Sequence, residues 1–419
     1  MRYAVILRGL TLDEAKRKCQ AYGAREILVL QAIRQVTCEL DDDAFRRMAL
    51  EPGLIVKPLS NVQTAGIKVP VAVGASSESG YRVRDFFAPL LQALNPPLTG
   101  AGLTVAVLDS GVRQTHIDLV DKVVYSASYV PGEGAEDQFN HGTTVAFVVL
   151  EASPGAAIMD IKVIDKTGVG NAEGVVAGID EVCRLVELAR SKNLPLTDPM
   201  YPNVINMSFG AEDEGDPNEP MRVAARTAVE EYGLDVIAAA GNTGPGMSTV
   251  LSPAVDSKVL AVGGVRSDEF TVWENSGRGP TNGAIIKPDV VYWATDILGA
   301  SAENDNAYVS KSGTSFAAPV ASGAIGPVWE VVRRVYGQNY RALWNDILPA
   351  IPAYCIKPES APLSKDNSYG YGLLAMGPMV TKILRQNSST DITGMMMPMM
   401  GLGMFAMMTM GLMRGFRNA

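Results

Sequence analysis

The run Gly313-Thr314-Ser315-Phe316-Ala317-Ala318-Pro319 sets a serine between a glycine-bearing turn and the start of an apolar stretch that reads as a helix. A serine hydroxyl is a poor nucleophile at neutral pH. It needs a base to take its proton and donors for the oxyanion it creates. A helix N-terminus exposes the hydroxyl and aims free backbone N–H groups at a reacting carbonyl. The search for a base is short, because the chain has only two histidines, His116 and His141. His141 opens His141-Gly142-Thr143-Thr144-Val145-Ala146, and Phe147-Val148-Val149-Leu150 follows. That pattern predicts a buried helix with the histidine at its first turn and Gly142 allowing another segment to come close. The third group, an orienting carboxylate, stands at Asp109. It ends the β-rich run Leu103–Leu108, whose unbroken apolar character predicts a strand buried on both faces. The C-terminal end of such a strand is where open α/β sheets put their sites.

These groups need a scaffold, and the spacing of apolar runs supplies one. From residue 103 to about 336 predicted strands and helices alternate, which indicates a parallel sheet with right-handed crossovers. The strands are Ile158–Val163, Val204–Phe209, Val236–Ala240 and Val259–Val262; the helices are Gly174–Ser191, Pro220–Tyr232 and one from Ser315 to about Tyr336. Gly326 and Pro327 predict a kink in the last of these. Ahead of this region, residues 3–8, 24–30, 33–40 and 54–58 read as strands, and 11–21 and 42–49 as helices. Thr11 and Glu14 form a capping-box signature there. The β-α-β-β-α-β order is that of a small ferredoxin-like unit. Residues 60–84 read as an exposed connection, and 85–94 as a short amphipathic helix.

Asp, His and Ser in this order, within V-A-V-L-D-S-G-V, H-G-T-T-V-A and S-G-T-S-F-A-A-P, resemble the subtilisin-like serine proteases over about residues 84–380. Singly, each motif is a common turn or cap; together and in order they carry the resemblance. It implies an α/β fold, a subtilisin-like parallel sheet flanked by helices, and a serine endopeptidase working through an acyl-enzyme. It gives Ser315 the role of nucleophile, His141 that of base and then acid, and Asp109 that of orienter. Val236-Ile237-Ala238-Ala239-Ala240-Gly241-Asn242 resembles the strand ending in the family's oxyanion-hole asparagine, here Asn242. Ser208-Phe209-Gly210 resembles the strand that aligns substrate by β-augmentation. Ala239, Ala240 and Gly241 would line a pocket for a sizeable apolar side chain. His116 falls in a segment that is structural in the family and receives no catalytic role. The implied organisation is a propeptide-like domain over 1–60, a linker over 61–84, a catalytic domain over 85–386 and a tail over 387–419. Three positions depart from the family pattern: Phe147, Tyr292-Trp293-Ala294 after Asp289-Val290-Val291, and Val320. They bear on substrate preference and packing. No cofactor is required for the chemistry, and no acidic cluster specifies the structural calcium common in the family.

Bulk properties narrow the alternatives. With 419 residues and 47% hydrophobic content the chain can bury a large core. A net charge of −9 without a basic cluster argues against nucleic acid as a partner. Four scattered cysteines are those expected of reduced thiols, with a Cys19–Cys38 disulfide as the lesser reading. The first residues lack a signal-peptide pattern, so a cytoplasmic location is the expectation. The tail is unusual. Ten of 19 methionines lie between Met395 and Met413, and residues 392–413 carry no charge. That composition fits self-association through a soft apolar surface, membrane contact or, least of all, thioether metal binding. A non-catalytic scaffold of the same fold, working through this tail, is the alternative to a protease.

Overall fold

The computed structural model describes residues 1–64, 66–67, 80–92, 94–337, 355–375, 377 and 380. The expectations for the methionine-rich tail, residues 392–413 included, fall outside the described residues.

The N-terminal unit runs β1 (Arg2–Leu7), α1 (Leu12–Ala21), β2 (Arg25–Leu30), β3 (Gln35–Glu39), α2 (Asp42–Met48) and β4 (Leu54–Pro58). Its antiparallel sheet has the order β2-β3-β1-β4. Local chemistry starts both helices. The Glu14 N–H donates to Thr11 Oγ1 at 3.3 Å while the Thr11 N–H donates to Glu14 Oε2 at 2.8 Å, and Asp41 Oδ1 accepts from the Ala44 N–H at 2.7 Å. A small core of Tyr3, Val5, Ala15, Cys19, Val36, Cys38, Met48 and Val56 fills the space beneath. Cys19 and Cys38 are free thiols, as are Cys183 and Cys355.

The stretch expected as a connection carries structure of its own where it is described: β5 (Asn61–Thr64) and β6 (Gly66–Ile67). Then come α3 (Val83–Leu91), β7 (Thr104–Asp109), β8 (Val123–Ser128), α4 (Gly142–Ala152), β9 (Ala157–Lys162), β10 (Val169–Asn171) and α5 (Ala172–Ser191). They lead to β11 (Val204–Met207), β12 (Phe209–Gly210), α6 (Pro220–Glu230), β13 (Asp235–Ala239), β14 (Leu260–Val265) and β15 (Val290–Trp293). The remainder is β16 (Ile297–Ala300), β17 (Tyr308–Gly313), α7 (Thr314–Tyr336), β18 (Cys355–Ile356) and β19 (Leu373–Leu374).

One sheet organises this second unit, in the order β18-β19-β15-β14-β13-β11-β7-β9-β8. All its pairings are parallel except β18 with β19. Residues of α4 and α7 pack one face with a core that includes Val105, Val107, Phe147, Ile237 and Trp329. Residues of α5 and α6 pack the other with Ala106, Leu108, Ile161, Ile205 and Ala238. Burial on both faces is why these strands read as continuous apolar runs rather than alternating ones.

Two differences from the sequence reading have physical causes. Half-exposed β8 lacks that signal, and the reading passed over it. The strand expected over Val204–Phe209 breaks at Ser208, and beyond the break β12 pairs with β5 rather than with the large sheet. Along α7, Gly323 and Gly326 let α4 pass close by: a Cβ there would stand 2.5 Å from the Val149 carbonyl oxygen and 2.4 Å from Ser153 Oγ. Among the described residues no helix is long and apolar enough to cross a membrane, and no cluster of three metal-ligating side chains occurs.

Candidate active site

Asp109 ends β7, and His141 is the N-cap of α4, a helix buried throughout its length. The two meet because Gly142 has no side chain. A Cβ there would stand 2.3 Å from the Gly111 carbonyl oxygen and 3.0 Å from the Asp109 Cβ. The imidazole Nδ1 lies 2.7 Å from Asp109 Oδ1, with the pair 5% and 1% exposed. Asp109 Oδ1 also accepts from the Ser110 N–H at 2.7 Å. An imidazole whose Nδ1 donates to a carboxylate carries its lone pair on Nε2. That atom is buried and has no hydrogen-bond partner among the described residues.

Ser315 is the second residue of α7 and fully buried. Its Oγ donates to the Ser208 carbonyl at 2.9 Å, and the Ser208 hydroxyl donates in return to the Ser315 carbonyl at 2.8 Å. The Asp109–His141 pair is therefore assembled, while the serine hydroxyl is parked on the strand that breaks at residue 208. Asn242 follows β13 by three residues. Its Oδ1 accepts from both the N–H and the hydroxyl of Thr314 at 2.9 Å, which leaves Nδ2 buried and without a partner. The amide is thus held by its oxygen, and its nitrogen is a buried donor with no partner among the described residues.

The residues expected at the substrate strand divide. Ser208 is tied to Ser315, whereas Phe209 and Gly210 pair antiparallel with Thr64 and Gln63. On its other side β5 pairs antiparallel with β10, Gln63 opposite Val169 and Val62 opposite Gly170, so the chain's own segment forms the middle strand of three. Val62 is wholly buried. Past Ala65 the chain pairs with β17, Gly66 opposite Gly313 and Ile67 opposite Ser312. The strands to either side of Ala65 thus engage the segment that follows Ser208 and the one that leads into Ser315. Ala239 and Ala240 are wholly buried, one in each core of the sheet, and Gly241 takes a φ of +102° with Leu251 against it. His116 uses both ring nitrogens on the backbone, Nε2 to the Ala307 carbonyl at 2.9 Å and Nδ1 to the Asp118 N–H at 3.3 Å.

Sequence reasoning missed the supports. Asp137 accepts from the Ser110 hydroxyl at 2.8 Å and from the Thr143 N–H at 2.9 Å, while Ser110 Oγ receives the Gly142 N–H at 2.9 Å. Buried Lys162 donates to the Ser110 carbonyl at 2.7 Å and the Glu136 carbonyl at 2.9 Å. One signal was legible: Asp137, four residues before His141, is a carboxylate just ahead of a helix, where it satisfies free N–H groups.

A parallel sheet flanked by helices, with a carboxylate, an imidazole and a serine drawn to the ends of its elements, defines the α/β subtilisin fold. The sequence matches the Subtilase family over residues 100–372, and the chain belongs to that family. It is 30% identical over 261 residues to "Serine protease AprX" of Bacillus subtilis strain 168, covering 54% of this chain and 56% of that protein. It is 26% identical over 381 residues to a subtilisin of Bacillus sp. strain TA39, covering 83% and 86%. It is 33% identical over 260 residues to subtilisin amylosacchariticus of Bacillus subtilis subsp. amylosacchariticus, covering 58% and 59%. The chain thus spans little more than half the length of two of these relatives.

Proposed function

We propose that the protein is a serine endopeptidase, made with its N-terminal unit as an internal mask. The observation that carries the reading is the conjunction of a buried Asp109–His141 pair at 2.7 Å with two idle atoms, His141 Nε2 and Asn242 Nδ2. Membership of the family supports it.

In the reaction, rotation about the Ser315 side chain carries Oγ from the Ser208 carbonyl toward His141 Nε2. As Oγ bonds to the scissile carbonyl carbon, its proton passes to Nε2. The carbonyl π electrons move onto the oxygen, and the Asn242 Nδ2–H and the Ser315 N–H donate hydrogen bonds to that oxyanion. Asp109 stabilises the imidazolium without taking its proton. Nε2 then protonates the departing amine as the C–N bond breaks, leaving an ester on Ser315. Water, deprotonated by the same nitrogen, hydrolyses the ester. Polypeptides in extended form are the substrates, held between β10 and β12 as Asn61–Thr64 is now.

The first substrate on this reading is the chain itself, cut beside Ala65. That residue follows the Thr64–Phe209 pair and precedes the Gly66–Gly313 pair, two positions short of the nucleophile. The ferredoxin-like unit then acts as a propeptide. Sizeable apolar side chains are proposed for the pocket by Ala239, Ala240 and Gly241, and a peptide panel preferring arginine or lysine would overturn that.

A fluorophosphonate probe tests the whole. Wild-type protein is expected to label and to lose about its first 65 residues by N-terminal sequencing. Ser315→Ala is expected to do neither. A wild type that resists the probe after its first 65 residues are removed would establish the scaffold reading instead.

A further inference from the structure

Arg82 lies outside every motif described above, yet its side chain joins the two elements that carry base and nucleophile. Its guanidinium grips Glu151 with two bonds, Nη2 to Oε1 at 2.6 Å and Nε to Oε2 at 3.1 Å. The same carboxylate accepts the Arg84 N–H at 3.2 Å. The guanidinium carbon stands 5.1 Å from the ring centre of Phe147 and 5.7 Å from that of Tyr308. Phe147 and Glu151, four residues apart, share one face of α4, the helix whose N-cap is His141. Tyr308 opens β17, the strand that runs directly into Ser315. The two rings also touch each other, at 6.0 Å and 72°. The far end of Tyr308 is held as well, its hydroxyl donating to Asp118.

The backbone around Arg82 is fixed too. The Tyr81 N–H donates to the Asp296 carbonyl at 2.7 Å and the Leu298 N–H to the Tyr81 carbonyl at 3.1 Å, tying it to β16, the partner of β17. Phe86 stacks on Trp293 at 3.8 Å. Two of the three departures from the family pattern, Phe147 and Trp293, thus form the seat of this segment.

We propose that Arg82 is a positioning residue for the reaction: it clamps the helix capped by His141 to the strand that leads into Ser315 and so sets how base and nucleophile face each other. Lysine cannot replace it, because the fork binds both carboxylate oxygens while its flat face covers the rings. The inference rests on the triad reading above. Catalytic groups misplaced by about 1 Å lose on the order of 100-fold in rate.

The test compares wild type with Arg82→Met, which keeps the stem and loses the fork, Arg82→Lys, and Glu151→Gln, all well below their unfolding midpoints. The cut beside Ala65 is a single turnover on a strand already bound, so its rate reads the chemical step without KM. In Arg82→Met that rate, fluorophosphonate labelling and kcat on a peptide are expected to fall about 10–100-fold, with KM within a few-fold. Arg82→Lys is expected to recover only part. A cavity of ≈ 470 Å³ bordered by Arg82, Asp118, Phe147 and Glu151 opens beside the cluster. Added guanidinium ion is therefore expected to raise the rate of a further variant, Arg82→Ala, and to leave that of wild type unchanged. Should Arg82→Met fail to fold, Glu151→Gln carries the same expectation. A variant that melts earlier but keeps its kcat would overturn the proposal and leave Arg82 a staple of stability. An unlabelled wild type sinks the triad reading itself; a labelled wild type with an equally fast Arg82→Met sinks this inference alone.

Discussion

The N-terminal unit and the parallel-sheet unit solve the same problem, burying one face of a sheet, in opposite ways. The small unit pairs its strands antiparallel, with β2 and β3 the one pair adjacent in sequence, starts its helices with Thr11 and Asp41 caps and closes a modest core. The large unit joins strands distant in sequence and buries them on both faces, with α4 submerged along its length. Where the units meet, the contact is partly polar. Arg2 and the Thr37 hydroxyl bond Glu173 in the first turn of α5, Lys57 pairs with Asp216 at 2.5 Å, and the Ile33 N–H donates to Asp180 at 3.0 Å. Apolar Leu30, Ala32 and Ile33 join the core under α5 and α6. The lesson is one of division. A four-stranded antiparallel sheet makes a small unit with a core of its own, whereas parallel pairing through crossover helices makes a larger frame buried on both faces. The strands β5 and β6 belong to the first by sequence and to the second by hydrogen bonding.

The largest expected break in this contrast is at the site itself. Asn242→Ala removes an amide whose nitrogen is idle in the resting structure, so the cost to the frame is that of the two Thr314 bonds, about 1–3 kcal/mol. The kcat is expected to fall about 10²–10³-fold with KM little changed. A loss below about fivefold would make Asn242 merely a cap for Thr314. Next comes the junction. Glu173→Ala strips two partners from the small unit, and hydrogen bonds to a charged group are worth about 1.5–3 kcal/mol. In a Ser315→Ala background, which on the proposed reading leaves the chain uncut, backbone amides of β1 and β3 are expected to exchange about tenfold faster or more. Those of β7 and β11 should be unchanged. Equal acceleration in both sheets would mean that the two units open as one and that the division is false.

The same division explains what the sequence could be read for. Thr11 with Glu14, Asp109 at the end of an apolar run, His141 before a helix and Ser315 at a helix start are local signals, and each landed within a residue or two of its element. The missing parts were relations between distant positions. Nothing in Val204–Phe209 tells that Ser208 leaves the sheet to face Ser315, because the cause lies 107 residues away. The pairing of Asn61–Thr64 with β10 and β12 was illegible for a similar reason. A short polar stretch has no periodicity of its own and takes its form from the strands it lies between. Arg82 was silent because an arginine before a helix is ordinary until its partners, Glu151 and Tyr308, are known.

The smallest expected effect sharpens the contrast by showing that the large unit, though rigid, carries a buried charge problem that the small one lacks. Asp160 in β9 is fully buried, and desolvation pushes its carboxyl up to about 8. The Ser126 hydroxyl on β8, at 2.8 Å, favours its ionised form, as do contacts from Gln114 and the Val112 backbone; the Asp137 carboxylate opposes ionisation. Across the interval between an ordinary aspartate and pH 8, the native state holds a proton that the unfolded chain has released. The unfolded state therefore binds fewer protons, and stability falls as pH rises through that interval. Asp160→Asn keeps the shape of the protonated acid and removes the titration. Its unfolding midpoint is expected to match wild type near pH 4, to exceed it by a few degrees at pH 8–9, and to vary less between those limits. A midpoint difference that does not grow with pH would show that Asp160 ionises in the native fold at an ordinary pH, and that the frame tolerates the charge.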